Sequence, residues 1–137
     1  MEVNYMLVAV ATVAQFILGG IWYSPLLFGK WWMEFMECTN LSKEELQKMQ
    51  KSMMPFYALQ LFLTFFTTVS FANLVPYVSA FSIYHLAFWI WIGFIVPLQI
   101  SSVVWANTKR KFWAKQIFVM VTNQLVSIML AAWILSM

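Results

Sequence analysis

The side chains of this chain that could do chemistry are few, and most of them sit inside apolar stretches. Gln15, Gln60, Thr64, Gln99, Gln116 and Asn123 each interrupt a run of apolar residues. Amides and hydroxyls donate and accept hydrogen bonds but do not titrate near neutral pH. They can line, bind or orient, and they cannot relay a proton. A second group is the stretch GGIWYSPLLFGKWWM, from Gly19 to Met33. There Ser24, Pro25, Gly29 and Lys30 make a turn where backbone could approach a ligand and a lysine could pair an anion. His85 is the one side chain whose ordinary pKa lies near neutrality, and it falls near a span end, where a surface position is expected. Glu34, Glu37 and Cys38 are close in sequence, but two carboxylates and a lone thiol read as a solvated face, not a metal-ligand set. The sequence has no nucleophile–base pair, phosphate loop or metal-ligand spacing, so neither an enzyme nor a cofactor is expected.

The elements that must carry these residues are four apolar runs, roughly 3–23, 55–75, 83–105 and 112–134. Each has the length of about 20 residues that a helix needs to cross a hydrocarbon core. Of the 137 residues, 63% are apolar and only 9% charged, far below the roughly 25% charge of a soluble domain. The expected fold is an all-α integral membrane protein, a four-transmembrane-helix bundle forming a single domain, with interfacial helices in the first cytoplasmic loop. A single cysteine leaves no intramolecular disulfide. No carboxylate lies inside a run, which argues against proton-coupled export. The net charge of +3 is too small and too local for nucleic-acid binding.

Charge position sets orientation. The connection 24–54 carries Lys30, Lys43, Lys48 and Lys51, and the connection 106–115 carries Lys109, Arg110, Lys111 and Lys115. These are all eight basic residues of the chain. The positive-inside rule makes both connections cytoplasmic and places both termini outside, in what reads as a bacterial plasma membrane. Lys109, Arg110 and Lys111 are expected to touch anionic headgroups.

Local signals fill in the connections. Ser24 reads as an N-cap with Pro25 at the first helical position. Trp31, Trp32, Phe35 and Met36 share a face suited to an interfacial helix, and Ser42 with Glu45 forms a capping box. Pro55 either opens the second span or kinks a continuous helix, and Pro97 bends the third. Gly19 and Gly20 are expected to let helices approach closely. Trp22, Tyr23, Trp31 and Trp32 are expected to anchor in the aromatic belt. The faces Thr12–Gln15–Gly19, Gln60–Thr64–Thr67 and Gln116–Asn123–Ser127, together with Gln99, are expected to point into the bundle. They either line a vestibule open to the cytoplasm or act as interhelical glue. A faint repeat pairs Trp22…Lys30-Trp31-Trp32 with Trp105…Lys111-Phe112-Trp113.

The passage Gly20 to Met33, with its Trp-Tyr-Ser-Pro-Leu-Leu-Phe-Gly-Lys block, resembles the signature of the membrane-protein family filed as domain of unknown function 1761. The segment Leu41–Leu46 and the passage from Trp105 into the basic loop resemble that family as well, so the likeness covers nearly the whole chain. It implies a small four-span membrane protein and no particular activity. From the residues, two functions remain open. One is a small oligomeric channel or facilitator for a neutral or weakly polar solute. The other is a structural or accessory scaffold, or a subunit of a larger complex. Four spans enclose little interior, so homo-oligomers are expected in either case.

Overall fold

A computed structural model describes residues 2–37, 39–78, 82–106 and 109–137. Within these the chain is built from helices. Helix α1 (Tyr5–Trp22) is followed by the short α2 (Gly29–Phe35) and α3 (Lys43–Ser52), then by α4 (Met54–Leu74). Helix α5 (Ile83–Ile90) passes through a π-turn, Trp91–Ile95, into α6 (Val96–Trp105), and α7 (Trp113–Leu135) ends the chain. The stretches Tyr5–Trp22, Met54–Tyr77, Ile83–Trp105 and Arg110–Leu135 are each long and apolar enough to cross a membrane. The fold is an all-α membrane bundle.

Helix starts follow local hydrogen bonding. The Asn4 side chain accepts from the backbone N–H groups of Met6 and Leu7 at 3.1 and 3.3 Å, so α1 begins with a satisfied cap. The capping box forms at α3: Glu45 N–H donates to Ser42 Oγ at 3.2 Å, and Ser42 N–H donates to Glu45 Oε2 at 3.1 Å. Helix α3 stops at Ser52 and Pro55 falls in the first turn of α4, where a missing N–H costs nothing. Pro55 therefore opens a new helix. In the third span, Pro97 removes the N–H that would bond the carbonyl of Gly93. The chain absorbs this as a widened turn just ahead of the proline, where Val96 N–H reaches back to the Trp91 carbonyl.

Helix α7 is the hub. It lies against α1 on one side and against the α5–α6 span on the other, while α4 packs on α1. Small residues allow the close approach: Ala11, Ala131 and Ile134 form one buried cluster, and Phe71, Ala87, Ile128 and Ala132 form another. Lipid tails are as apolar as leucine, so burial alone does not drive spans together; packing and interhelical hydrogen bonds do. The central hydrogen bonds belong to Gln15. Its Nε2 donates to Thr68 Oγ1 of α4 at 2.8 Å, and its Oε1 accepts from Ser127 Oγ of α7 at 3.0 Å. One amide thus joins three helices at one depth.

The two basic connections meet at one end of the bundle. Lys109 Nζ lies 2.9 Å from Glu37 Oε1, and Lys115 Nζ sits 5.2 Å from the centre of the Trp31 ring. This is called the basic end below. The two halves of the faint repeat are built differently there, since Trp22 is half-buried and Trp105 is 86% exposed.

Two expectations need correction. A Cβ added to Gly19 or Gly20 would find nothing within 4 Å, so these glycines do not carry the close helix contact. The residues buried on α1 are Val8, Ala11 and Thr12, nearer the opposite end. Gln60 and Thr67 are exposed, and Thr64 is half-exposed. Thr68 makes the bundle contact in their place. It lies eight positions from Gln60, about 80° further round the helix, beside the buried Phe71 and Ala72.

Replacing Gln15 by Leu removes two interhelical bonds, each worth about 0.6 to 1.7 kcal/mol in membrane proteins. Thermal unfolding in one detergent should show a loss of about 1–3 kcal/mol. Thr67→Val, whose hydroxyl bonds only the Leu63 carbonyl of its own helix, should change stability by less than about 0.5 kcal/mol.

Candidate functional site

The residues between α1 and α2 form a tight elbow. The Ser24 hydroxyl donates to the Ile21 carbonyl at 2.6 Å and accepts from Leu26 N–H at 3.3 Å. Phe28 N–H donates to the Trp22 carbonyl at 3.0 Å, and Gly29 N–H donates to the Ser24 carbonyl at 2.8 Å. A Cβ on Gly29 would stand 2.5 Å from the Ser24 carbonyl carbon and 2.6 Å from its oxygen. Only glycine fits where backbone meets backbone this closely.

This revises the reading of the four turn residues. Helix α2 starts at Gly29 with Phe28 as its cap residue, so Ser24 is not its N-cap and Pro25 not its first residue. The Ser24 hydroxyl turns back and closes α1. Gly29 is buried against Ser24 and presents no backbone to a ligand, and Lys30 is exposed.

The elbow lies on the first turns of α7. The Trp22 indole N–H donates to the Val119 carbonyl at 3.0 Å. Phe28 meets Phe118 edge-on, with ring centres 6.3 Å apart, and Lys115 caps the Trp31 ring. Tyr23 packs on Trp32, with ring centres 4.9 Å apart. Phe35 packs on Phe112 at 5.7 Å. Trp22, Tyr23, Trp31 and Trp32 are half-buried and pack on α7 and on the other rings of the elbow.

Beneath this cover are two amides. Gln116 and Asn123 are each only 8% exposed. Gln116 Oε1 and Asn123 Oδ1 are fully buried and accept no hydrogen bond among the described residues; nor does Gln99 Oε1, on α6 against α7. An unsatisfied buried acceptor costs about 1–3 kcal/mol, and within a bilayer no bulk water offsets this. The contrast with Gln15, whose donor and acceptor are both engaged, divides the interior polar residues into two kinds. Chemically, the orphaned oxygens suit a partner that donates hydrogen bonds: a hydroxyl, an amide N–H or an ammonium.

The other candidates lie elsewhere. His85 is exposed in the first turn of α5, with its Nδ1 2.9 Å from Ser82 Oγ. Among the described residues there is no group of three metal-ligating side chains; Cys38 lies outside them. Arg110 and Lys111 stack over Trp113 and Phe112 at 5.7 and 4.8 Å. The hydrogen bond and charge of Lys109 hold the Glu37 carboxyl below the usual glutamate range, and Glu37 itself adopts a left-handed φ of 57°.

A family model described as "Protein of unknown function (DUF1761)" matches residues 6–136. The chain belongs to that family. No curated protein and no solved structure matches it. The family description assigns no activity, so a function for this member has to be argued from the elbow and the amides below it.

Gly29→Ala should lower stability by about 1–3 kcal/mol, the usual range for overpacking, and speed tryptic cleavage at Lys30. Gly20→Ala, with open space around it, should leave stability unchanged or raise it by up to about 1 kcal/mol. The Glu37–Lys109 tether has a defined pH sign. Because the folded carboxyl is depressed, the tether is present above the ordinary glutamate value and is lost as pH falls through the lowered one. Spin-label distances between the two basic connections should widen only in that acidic window.

Proposed function

We propose that the protein is a small facilitator for a neutral or weakly polar solute that donates hydrogen bonds. The observation that carries this reading is the set of buried, unpartnered carbonyl oxygens on Gln116, Asn123 and Gln99. Carbonyl oxygens only accept, and the amides that carry them do not titrate near neutral pH. Binding and passage fit such a site; bond making and breaking do not, so the reading is non-enzymatic.

The path begins at the basic end. A solute passing under the elbow would donate first to Gln116 and Asn123. The next acceptors are at the Gln15–Ser127–Thr68 junction. Ser127 lies one turn further along α7 than Asn123, about 6 Å by helical rise. A donor group could exchange one acceptor for the next across that step, with the junction opening to admit it. Under the positive-inside rule the basic end is cytoplasmic and both termini lie outside, in a bacterial plasma membrane. In this reading Lys109, Arg110 and Lys111 meet anionic headgroups at the cytoplasmic surface; the stacking of Arg110 and Lys111 over aromatic rings supports it. The second reading, an accessory subunit or scaffold, is favoured by one observation: Pro55 to Leu63, the half of α4 nearer the basic end, is exposed on the outside of the bundle.

Liposome shrinkage assays with formamide, urea and glycerol test the facilitator reading. Flux should exceed that of empty vesicles for at least one solute. Asn123→Leu should reduce it about fivefold or more, the loss of one hydrogen bond of about 1 kcal/mol. No flux above empty vesicles, or equal flux in wild type and Asn123→Leu, would overturn it.

A further inference from the structure

Most helix surfaces that leave this bundle are apolar. On α1 they include Met6, Val10, Val13 and Ile17, and on the third span Trp89, Phe94 and Leu98. Helix α4 differs. Its outward side carries Gln60, Thr64 and Thr67 at i, i+4 and i+7, one stripe on a helix of 3.6 residues per turn. The residues from Pro55 to Leu63 are all exposed, so the chain itself does not cover this half of the helix.

The hydroxyls of the stripe have internal acceptors. Thr64 Oγ1 donates to the Gln60 carbonyl at 2.8 Å, and Thr67 Oγ1 to the Leu63 carbonyl at 2.9 Å. The amide is less well served. Among the described residues Gln60 Nε2 has one bond, to Thr64 Oγ1 at 3.3 Å, just beyond the usual range. Its second N–H and its carbonyl oxygen face outward from a membrane span. Lipid tails offer them nothing, and glutamine facing lipid is unsatisfied.

We propose that α4 is a self-association face, where a second copy of the chain docks by a two-fold contact centred on Gln60. The occupant follows from symmetry and chemistry. Copies inserted with the same orientation are related by an axis along the membrane normal, so each residue meets its twin at the same depth. A primary amide is self-complementary: the N–H of each Gln60 donates to the carbonyl oxygen of the other. A second copy therefore brings the required group to the required depth. Thr64 and Thr67 are small enough to let the two helices approach on either side of the amide pair.

This inference does not depend on the facilitator reading, and its test involves no flux. The full chain, labelled and reconstituted at low protein-to-lipid ratio, is counted by single-molecule photobleaching. Wild type should show two-copy complexes, and Gln60→Leu should weaken the association about tenfold, as expected for two lost interhelical bonds. Leu59→Ser, a neighbouring exposed change off the stripe, should leave it intact. In native membranes, with Cys38→Ser as background, Thr64→Cys, which keeps the Gln60 amide, should crosslink to its twin under mild oxidation and Leu59→Cys should not. Wild type that stays single at every ratio would overturn the proposal. So would Gln60→Leu associating like wild type, or Thr64→Cys crosslinking to a different protein.

Discussion

The two interhelical hydrogen bonds made by Gln15 set the geometry of this molecule. Within hydrocarbon, an amide without partners is costly, so the amide dictates which faces meet. Here Gln15 uses its donor on Thr68 and its acceptor on Ser127. That choice fixes the rotation of α1, α4 and α7 about their own axes. Once these rotations are set, Ala11 and Ala131 fall at one close contact, and Phe71, Ala87, Ile128 and Ala132 at another. Gln60 lies outside this junction, in the half of α4, Pro55 to Leu63, that no other helix covers.

Helix α7 carries the consequences to the basic end. Its first turns receive the elbow through the Trp22–Val119 hydrogen bond and the contacts of Phe28 and Trp31. The elbow can be this short because Gly29 lets backbone lie on the Ser24 carbonyl. Gln116 and Asn123, buried on the same turns of α7, carry the acceptors on which the functional reading rests. The polar interior has a saturated junction near mid-membrane and an unsaturated region nearer the basic end.

Much of the fold was legible because its signals are local or compositional. Span length, charge placement, the Ser42–Glu45 capping box and Pro55 as a helix opener depend only on neighbours in the chain. Interior facing was harder to read. Periodicity puts Gln60, Thr64 and Thr67 on one stripe, but it cannot say which side of α4 the bundle takes. Thr68 was missed for that reason, although Ala72 four positions on and Phe71 beside it hint at the contact face. Gly19 and Gly20 look like a close-approach motif, yet the small residues that meet are alanines. Ser24 and Pro25 mimic a helix start because a capped turn and a capped helix use the same residue types. The bond from the Trp22 indole to Val119 left no sequence signal, since its acceptor is a backbone carbonyl.

The central claim is that the buried amides are of two kinds, one holding the bundle and one awaiting a partner. Thermal unfolding of Gln116→Leu in the same detergent as Gln15→Leu tests this directly. Replacing an unpartnered buried carbonyl by an apolar group of similar size should leave stability unchanged or raise it. A loss for Gln116→Leu as large as that for Gln15→Leu would contradict the account, because Gln116 would then be structural as well.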